Sequence, residues 1–142
     1  MNYVQWAFVA LAGYTFVAPL MKVATSPGGI PSTVAALVAN TVLVVGSIGV
    51  VLYSDLSVAE YATHPRMVYV LAAGVCLTVG ILAYYQALSK GPVSVVVPVF
   101  GMFLVTSSLV SVLWLGDEVT VRKGLGIAFA VAAVYLTAGP RA

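Results

Sequence analysis

The sequence predicts an all-α, polytopic membrane protein with five transmembrane helices, and two observations carry that prediction. Only 7% of the 142 residues are Asp, Glu, Lys or Arg, while 62% are hydrophobic. A soluble domain has about a quarter charged and about half apolar residues, so this chain has too little charge to cover a soluble surface. Its apolar residues also form continuous runs of about 20, the length that a helix needs to cross a bilayer.

Five such runs divide the chain into one transmembrane domain over residues 1–142, with no room for an extramembrane catalytic domain. The connections between them are rich in Gly, Pro and polar residues, which end helices. The predicted spans are about 3–21, 31–53, 67–88, 93–115 and 121–138. The last span is rich in Gly and Ala, and small residues let transmembrane helices approach closely, so we expect it to contribute to a dimer interface.

The distribution of basic residues bears on how the chain sits in the membrane. With five spans, Lys and Arg divide three against three between the two sides. The positive-inside rule then favours neither orientation, and the four acids, all on the N-terminal side, contribute little to it. We therefore expect insertion in both orientations and assembly as an antiparallel homodimer. The N-terminal side carries Arg66, Arg122 and Lys123, and the opposite side carries Lys22, Lys90 and Arg141.

Polar side chains within the spans are the candidates for a solute pathway, because a polar group in hydrocarbon must find a partner. Two prolines add to them, since each removes the N–H that would bond the carbonyl four residues earlier. These prolines are Pro19 and Pro98. The candidate pathway residues are Tyr14, Thr15, Asn40, Thr78, Tyr84, Tyr85, Ser94 and Ser108.

Several of these residues also have a purely structural interpretation. Asn40 is equally explained by an interhelical hydrogen bond. At least one of Tyr84 and Tyr85 is better explained as part of the aromatic belt at the membrane interface. Pro19 is explained by a packing kink, and Lys22 by a side chain that extends along the helix to keep its ammonium in water.

The same sequence argues against other classes of function. No pair of residues makes an acid–base or nucleophile–base arrangement, so enzymatic chemistry is not expected. There is no metal-ligand cluster or phosphate-binding loop, so no cofactor is predicted. The six basic residues are scattered and form no nucleic-acid patch. We expect a protein of the lipid bilayer, in the plasma or inner membrane of a prokaryotic cell.

Two stretches resemble a known family. YYQALSKGPVSVVVPVF, from Tyr84, and LWLGDEVTVRKGLGIAFAVAAVYL, ending at Leu136, are similar to the drug/metabolite transporter superfamily, and most closely to half-size, five-helix EamA-type proteins. The segment from Trp6 to Lys22 matches the first helix of that family more loosely. The chain differs in having Asp117 where Glu is usual. It also has Asn40 in a region where many members carry arginine.

The resemblance implies a ten-helix transporter fold made of two inverted five-helix repeats, so that a single repeat needs a partner. The leading hypothesis is an antiparallel homodimer that transports small organic solutes by alternating access. A pathway with tyrosines and hydroxyls but no buried charge suits neutral, zwitterionic or amphipathic metabolites such as amino acids. The alternative is a non-transporting membrane subunit that assembles with a larger or paralogous partner.

Overall fold

The computed structural model describes residues 2–116 and 120–138, and within these ranges every regular element is a helix. Asp117, Glu118 and Arg141, which enter the sequence argument above, lie outside the described residues. The helices are α1 (Tyr3–Ala24), α2 (Ser32–Tyr53), α3 (Val58–Ala62), α4 (Met67–Lys90), α5 (Val93–Gly101), α6 (Phe103–Val110) and α7 (Val121–Ala138). A π-helical turn, Ser111–Leu115, extends α6.

The all-helical class is confirmed for the described residues, whereas the number of spans is only partly settled. Four helical stretches are long and apolar enough to cross a membrane: α1, α2, α4 and the combined stretch Val93–Trp114. The apolar part of α7, Gly124–Thr137, is shorter. The whole of α7 has 18 residues, or about 27 Å of helix, against a hydrocarbon core of about 30 Å. The fifth span therefore stays a prediction.

The chain forms two compact units, one ending at Lys90 and the other beginning at Gly91. In unit 1, α4 packs against both α1 and α2. The buried residues of this unit lie near the C-terminal ends of α1 and α4 and the N-terminal end of α2, which we call the packed end. They are Ala18, Met21, Thr25, Ala35, Ala36, Tyr85 and Leu88.

The loop between α1 and α2 closes the packed end. Thr25 ends α1, donating both its N–H (3.0 Å) and its hydroxyl (2.8 Å) to the carbonyl of Met21. The N–H of Ile30 then returns to the carbonyl of Ala24 at 2.8 Å. Gly29 fits in this turn because a Cβ at its position would collide with the backbone oxygen of Ala24. The turn thus reverses the chain in few residues.

In unit 2, α7 packs against α5 and α6. Pro98 lies inside α5 and cannot donate to the carbonyl of Ser94. The helix tightens one turn later, where the N–H of Met102 bonds the carbonyl of Val99, only three residues back, at 3.2 Å. Prolines are the usual cause of such breaks. The predicted continuous helix over 93–115 is therefore divided at Met102.

The connection between α2 and α4 contains a short helix that the sequence analysis does not predict. This helix, α3, follows Ser57 and has one turn. After it, the N–H of Arg66 donates to Nδ1 of His64 at 3.1 Å. The bond uses the imidazole of His64 as a local acceptor, so this histidine has a structural partner in the loop.

Candidate functional site

The polar residues predicted in unit 1 lie at similar depth on their three helices. Measured along each helix from the packed end, Tyr14 is 10 residues, Asn40 8 residues and Thr78 12 residues away. At 1.5 Å per residue, these positions lie about 12 to 18 Å from that end. The hydrocarbon core is about 30 Å thick, so the three residues stand close to its middle.

The buried residues lie nearer the packed end than Tyr14, Asn40 and Thr78 do. Ala18, the buried residue farthest from that end, is six residues from the end of α1, or about 9 Å. Beyond them, the helix faces toward the other end of unit 1 are exposed, as Tyr14 (71%) and Leu77 (60%) illustrate. We call the level of Tyr14, Asn40 and Thr78 the polar level, and the buried residues of the packed end the floor. Beyond the polar level the helix surfaces are exposed.

Most hydroxyl groups at this level already donate within their own helix. Thr15 donates to the carbonyl of Leu11 at 2.7 Å, and Thr78 to that of Gly74 at 2.8 Å. Thr41 on α2 does the same at 2.8 Å, and so does Ser47 farther along α2, also at 2.8 Å. A hydroxyl has one donor and two acceptor positions, so these groups retain only acceptor capacity. They can bind a solute N–H or O–H but cannot donate to it.

Asn40 differs from those hydroxyls. Its side chain is half-buried. Its amide makes no hydrogen bond to another of the described residues, and its polar atoms are accessible. An amide carries two donors and one acceptor oxygen, and a polar group without a partner in hydrocarbon costs several kcal/mol. Asn40 therefore keeps both donors and its acceptor available for an external partner.

Two of the predicted tyrosines lie together near the end of α4, and a third lies on α1. The rings of Tyr84 and Tyr85 are 5.9 Å apart and tilted by 38°. Tyr85 is only 5% exposed and forms part of the floor, whereas Tyr14 is 71% exposed above it. Tyr85 is thus a packing residue of the floor, and Tyr14 presents aromatic surface above it.

Lys22 makes a hydrogen-bonded contact with α4 that the sequence alone does not reveal. Its ammonium donates to the backbone oxygen of Leu88 at 2.9 Å and to that of Ser89 at 3.5 Å. These oxygens belong to the last turn of α4, where helix carbonyls lack amide partners and the helix dipole attracts a cation. Lys22 therefore joins the end of α1 to the end of α4. The sequence shows a lysine at a helix end, but only the packing identifies its partner.

The remaining predicted residues belong to unit 2. Ser94 is exposed near the start of α5, and Pro98 is half-buried four residues later. Ser108 on α6 is exposed and donates to the carbonyl of Leu104 at 2.7 Å. Their part in a pathway stays a prediction.

Two shallow depressions lie away from the polar level. One, of about 460 Å³, is formed by residues 25–33 with Gln86 and Ser89. The other, of about 290 Å³, is formed by Tyr61, His64, Arg66, Met67 and Val70. Within the described part of the chain, no three His, Cys, Asp or Glu side chains come together in a way that suits a metal ion.

Comparison with known families decides what kind of protein this is. The EamA-like transporter family matches residues 1–139, which is nearly the whole chain. The chain belongs to the EamA-like transporter family. No curated protein and no solved structure matches it.

Membership of this family confirms the resemblance seen in the sequence, and with the four long apolar helices it makes the chain an integral membrane protein. The family is one of transporters and not of enzymes.

Proposed function

We propose that this protein transports small organic solutes across a prokaryotic plasma membrane, by alternating access, as an antiparallel homodimer. The observation that carries the proposal is the family match over residues 1–139. The solutes would be neutral, zwitterionic or amphipathic metabolites such as amino acids. No Asp, Glu, His or Arg lies within the middle of a predicted span, so the pathway offers hydrogen bonds and aromatic surface without a fixed charge.

The polar level of unit 1 supports a solute site near the middle of the membrane. In our proposal, the Asn40 amide binds the solute through donor and acceptor groups, and Tyr14 contributes its ring face and hydroxyl. Thr15 and Thr78 add acceptors only, because their donors are used within α1 and α4. Unpaired protein groups discriminate strongly against solutes that cannot bond them, so Asn40 would set much of the selectivity.

The proposed homodimer is supported by charge balance. Lys and Arg divide three against three between the predicted sides, which leaves insertion without a preferred orientation. Two chains in opposite orientations would reproduce the inverted repeats from which many transporters are built. The small residues of α7, such as Gly124, Gly126 and Ala130, would let partner helices approach closely.

Transport by proteoliposomes tests the solute site. The purified chain is reconstituted and challenged with a panel of radiolabelled amino acids and other small metabolites. We expect Asn40→Ala to lower the initial rate about fivefold or more, because a lost hydrogen bond to a bound solute is worth about 1 kcal/mol or more. Tyr14→Phe should lower it less, since the ring remains. Ser47→Ala is the matched control, because it removes a hydroxyl that is already bonded within α2.

The outcomes separate the proposal from its alternative. Equal rates for the parent, Asn40→Ala and Tyr14→Phe, with all three folded, would show that the site is wrong. No transport of any solute, together with stoichiometric co-purification of a different membrane protein, would favour the non-transporting subunit instead. A stable homodimer with saturable uptake supports transport.

A further inference from the structure

The packed end of unit 1 is joined by two polar contacts between helices. The Lys22 ammonium on α1 bonds the Leu88 and Ser89 carbonyls of α4. Beside it, the hydroxyl of Ser32 on α2 donates to the side-chain oxygen of Gln86 on α4. Both contacts lie at the packed end, where α4 meets its two neighbours.

The apolar contact beneath these bonds is small. Three of the buried residues are alanines, namely Ala18, Ala35 and Ala36. Apolar burial stabilises in proportion to the area removed from lipid or water, and helices in lipid gain little from it. The polar contacts therefore add to a modest apolar contact that also includes Met21, Tyr85 and Leu88, and Lys22 makes the charged one.

The geometry of Lys22 also differs from that of an interfacial lysine whose ammonium is bound only by water. An extended interfacial lysine keeps its ammonium solvated, whereas Lys22 is half-buried with its nitrogen 2.9 Å from a carbonyl oxygen of another helix. Lys90 provides the comparison, because it is exposed at the same end of α4. At this end of unit 1, one lysine is therefore hydrogen-bonded to another helix and a second lysine is exposed.

A contact of this kind is well suited to repeated making and breaking. A charge-assisted hydrogen bond is worth more than a neutral one, yet at the membrane surface water can solvate both the ammonium and the carbonyls when they separate. Neither group is then left unsatisfied in hydrocarbon. A tightly interlocked apolar seam would not separate as readily, because packed interiors resist partial opening.

From these observations we infer that Lys22 is a positioning residue of the transport cycle, which holds the packed end closed by binding the C-terminal carbonyls of α4. Its release opens this end, and its rebinding returns the polar level to access from the other side only. The inference rests on the proposed transport function, since only alternating access requires this end to open.

Accessibility of a buried reporter tests the inference without a transported solute. The reporter is Thr25→Cys, near-isosteric and only 7% exposed at the packed end, in a Cys76→Ala background. The full-length protein in liposomes is treated with a charged methanethiosulfonate, and the labelling rate is measured. We expect Lys22→Met to raise that rate about tenfold or more, as loss of a bond to a charged group permits. Lys22→Arg, which keeps a donor, and Lys90→Met, which removes a charge from the same region, should stay near the parent.

Thermal unfolding of each variant distinguishes opening from general destabilisation. The inference requires faster labelling of Lys22→Met with an unfolding midpoint close to that of Lys90→Met. It is overturned if Lys22→Met labels no faster than the parent, or if Lys90→Met labels equally fast. It is also overturned if Lys22→Met fails to fold while Lys22→Arg folds, because the contact then maintains the fold instead of gating it. Labelling needs no solute, so failure of the transport assay leaves this test intact.

Discussion

Single residues in this protein show how a chain with few charges meets its polar requirements in a membrane. Hydroxyl groups on the helices donate hydrogen bonds to backbone carbonyls of the preceding turn, as those of Thr15 and Thr78 do. Lys22 meets its requirement at the end of another helix. Asn40 differs from these groups, because its amide makes no hydrogen bond to another of the described residues. In our proposal, this leaves the amide available to bind a solute.

The turn at Gly29 allows a prediction at this scale. In Gly29→Ala the new Cβ would collide with the Ala24 carbonyl oxygen and approach the Ser26 carbonyl oxygen at 2.9 Å. These are backbone atoms that cannot swing aside, so we expect destabilisation of about 1–3 kcal/mol, the usual range for forced overpacking. Thermal unfolding in detergent measures it.

Gly46→Ala is the control for that measurement. Gly46 lies within α2 with no atom within 4 Å of the added Cβ, and alanine is the better helix former. Its unfolding midpoint should be unchanged or slightly higher. An equal midpoint for Gly29→Ala and the parent would mean that the turn at Ala24 and Ser26 adjusts freely.

Among the helices, the stretch from α5 to the π-helical turn shows how far one proline changes an element. The continuous apolar run predicts a single helix, and Pro98 predicts a free carbonyl at Ser94. The structure places the change of helical geometry one turn after the proline, at Met102. This local tightening depends on how the following turn adjusts, so the run of apolar letters does not reveal it.

Pro98→Ala tests whether the proline causes this distortion. The alanine supplies the missing N–H for the Ser94 carbonyl and is about 3 kcal/mol more favourable in a helix interior in water. We expect at least about 1 kcal/mol of added stability. Slower amide hydrogen exchange over residues 98–106 should accompany it, measured by mass spectrometry in detergent.

The control for this helix is Pro92→Ala. Pro92 precedes the first residue of α5 and has extended backbone angles, where no helical hydrogen bond is lost. Exchange over 98–106 should therefore stay as in the parent. Unchanged exchange in Pro98→Ala as well would assign the distortion to packing within unit 2 instead of to the proline.

The helices themselves were largely predictable, and the contacts between them were not. Apolar runs and Gly-Pro turns predict where α1, α2 and α4 begin and end to within a few residues, because both signals are local. The helix at Val58–Ala62 was missed, since five residues give no usable periodicity. The partner of Lys22 was also beyond the sequence, because it depends on which helix ends meet in space. The depth of Asn40 followed from counting residues along a span.

At the scale of the whole molecule, the predicted balance of Lys and Arg between the two membrane surfaces bears on how the chain is oriented. Loop 25–31 and the loop after Tyr53 lie at opposite ends of α2, so they emerge on opposite sides of the membrane when α2 spans it. The side of loop 25–31 carries Lys22, and the side of the loop after Tyr53 carries Arg66. Because the predicted numbers of Lys and Arg on the two sides are equal, small changes in charge should decide which way the chain inserts.

Two single-cysteine proteins test this balance. Pro27→Cys and Ser57→Cys, each in a Cys76→Ala background, place exposed thiols in the two loops. A membrane-impermeant thiol reagent is added to sealed right-side-out vesicles. We expect about half of the chains to react in each protein, and all of them after permeabilisation, because the positive-inside rule favours neither orientation. Complete labelling of one protein and none of the other would establish a single orientation and exclude the antiparallel homodimer.

Added lysines should shift the equal division between the two orientations in the direction that the positive-inside rule gives. Ala59→Lys with Glu60→Lys raises the basic count on the Ser57 side from three to five, against three on the other. Loops rich in Lys and Arg stay in the cytoplasm, which is the vesicle interior here. Labelling of Ser57→Cys should therefore fall well below half, while labelling of Pro27→Cys rises by the same fraction. If labelling stays at half despite the added lysines, something other than charge orients the chain. The balanced charge would then no longer support an antiparallel pair, even if both orientations exist.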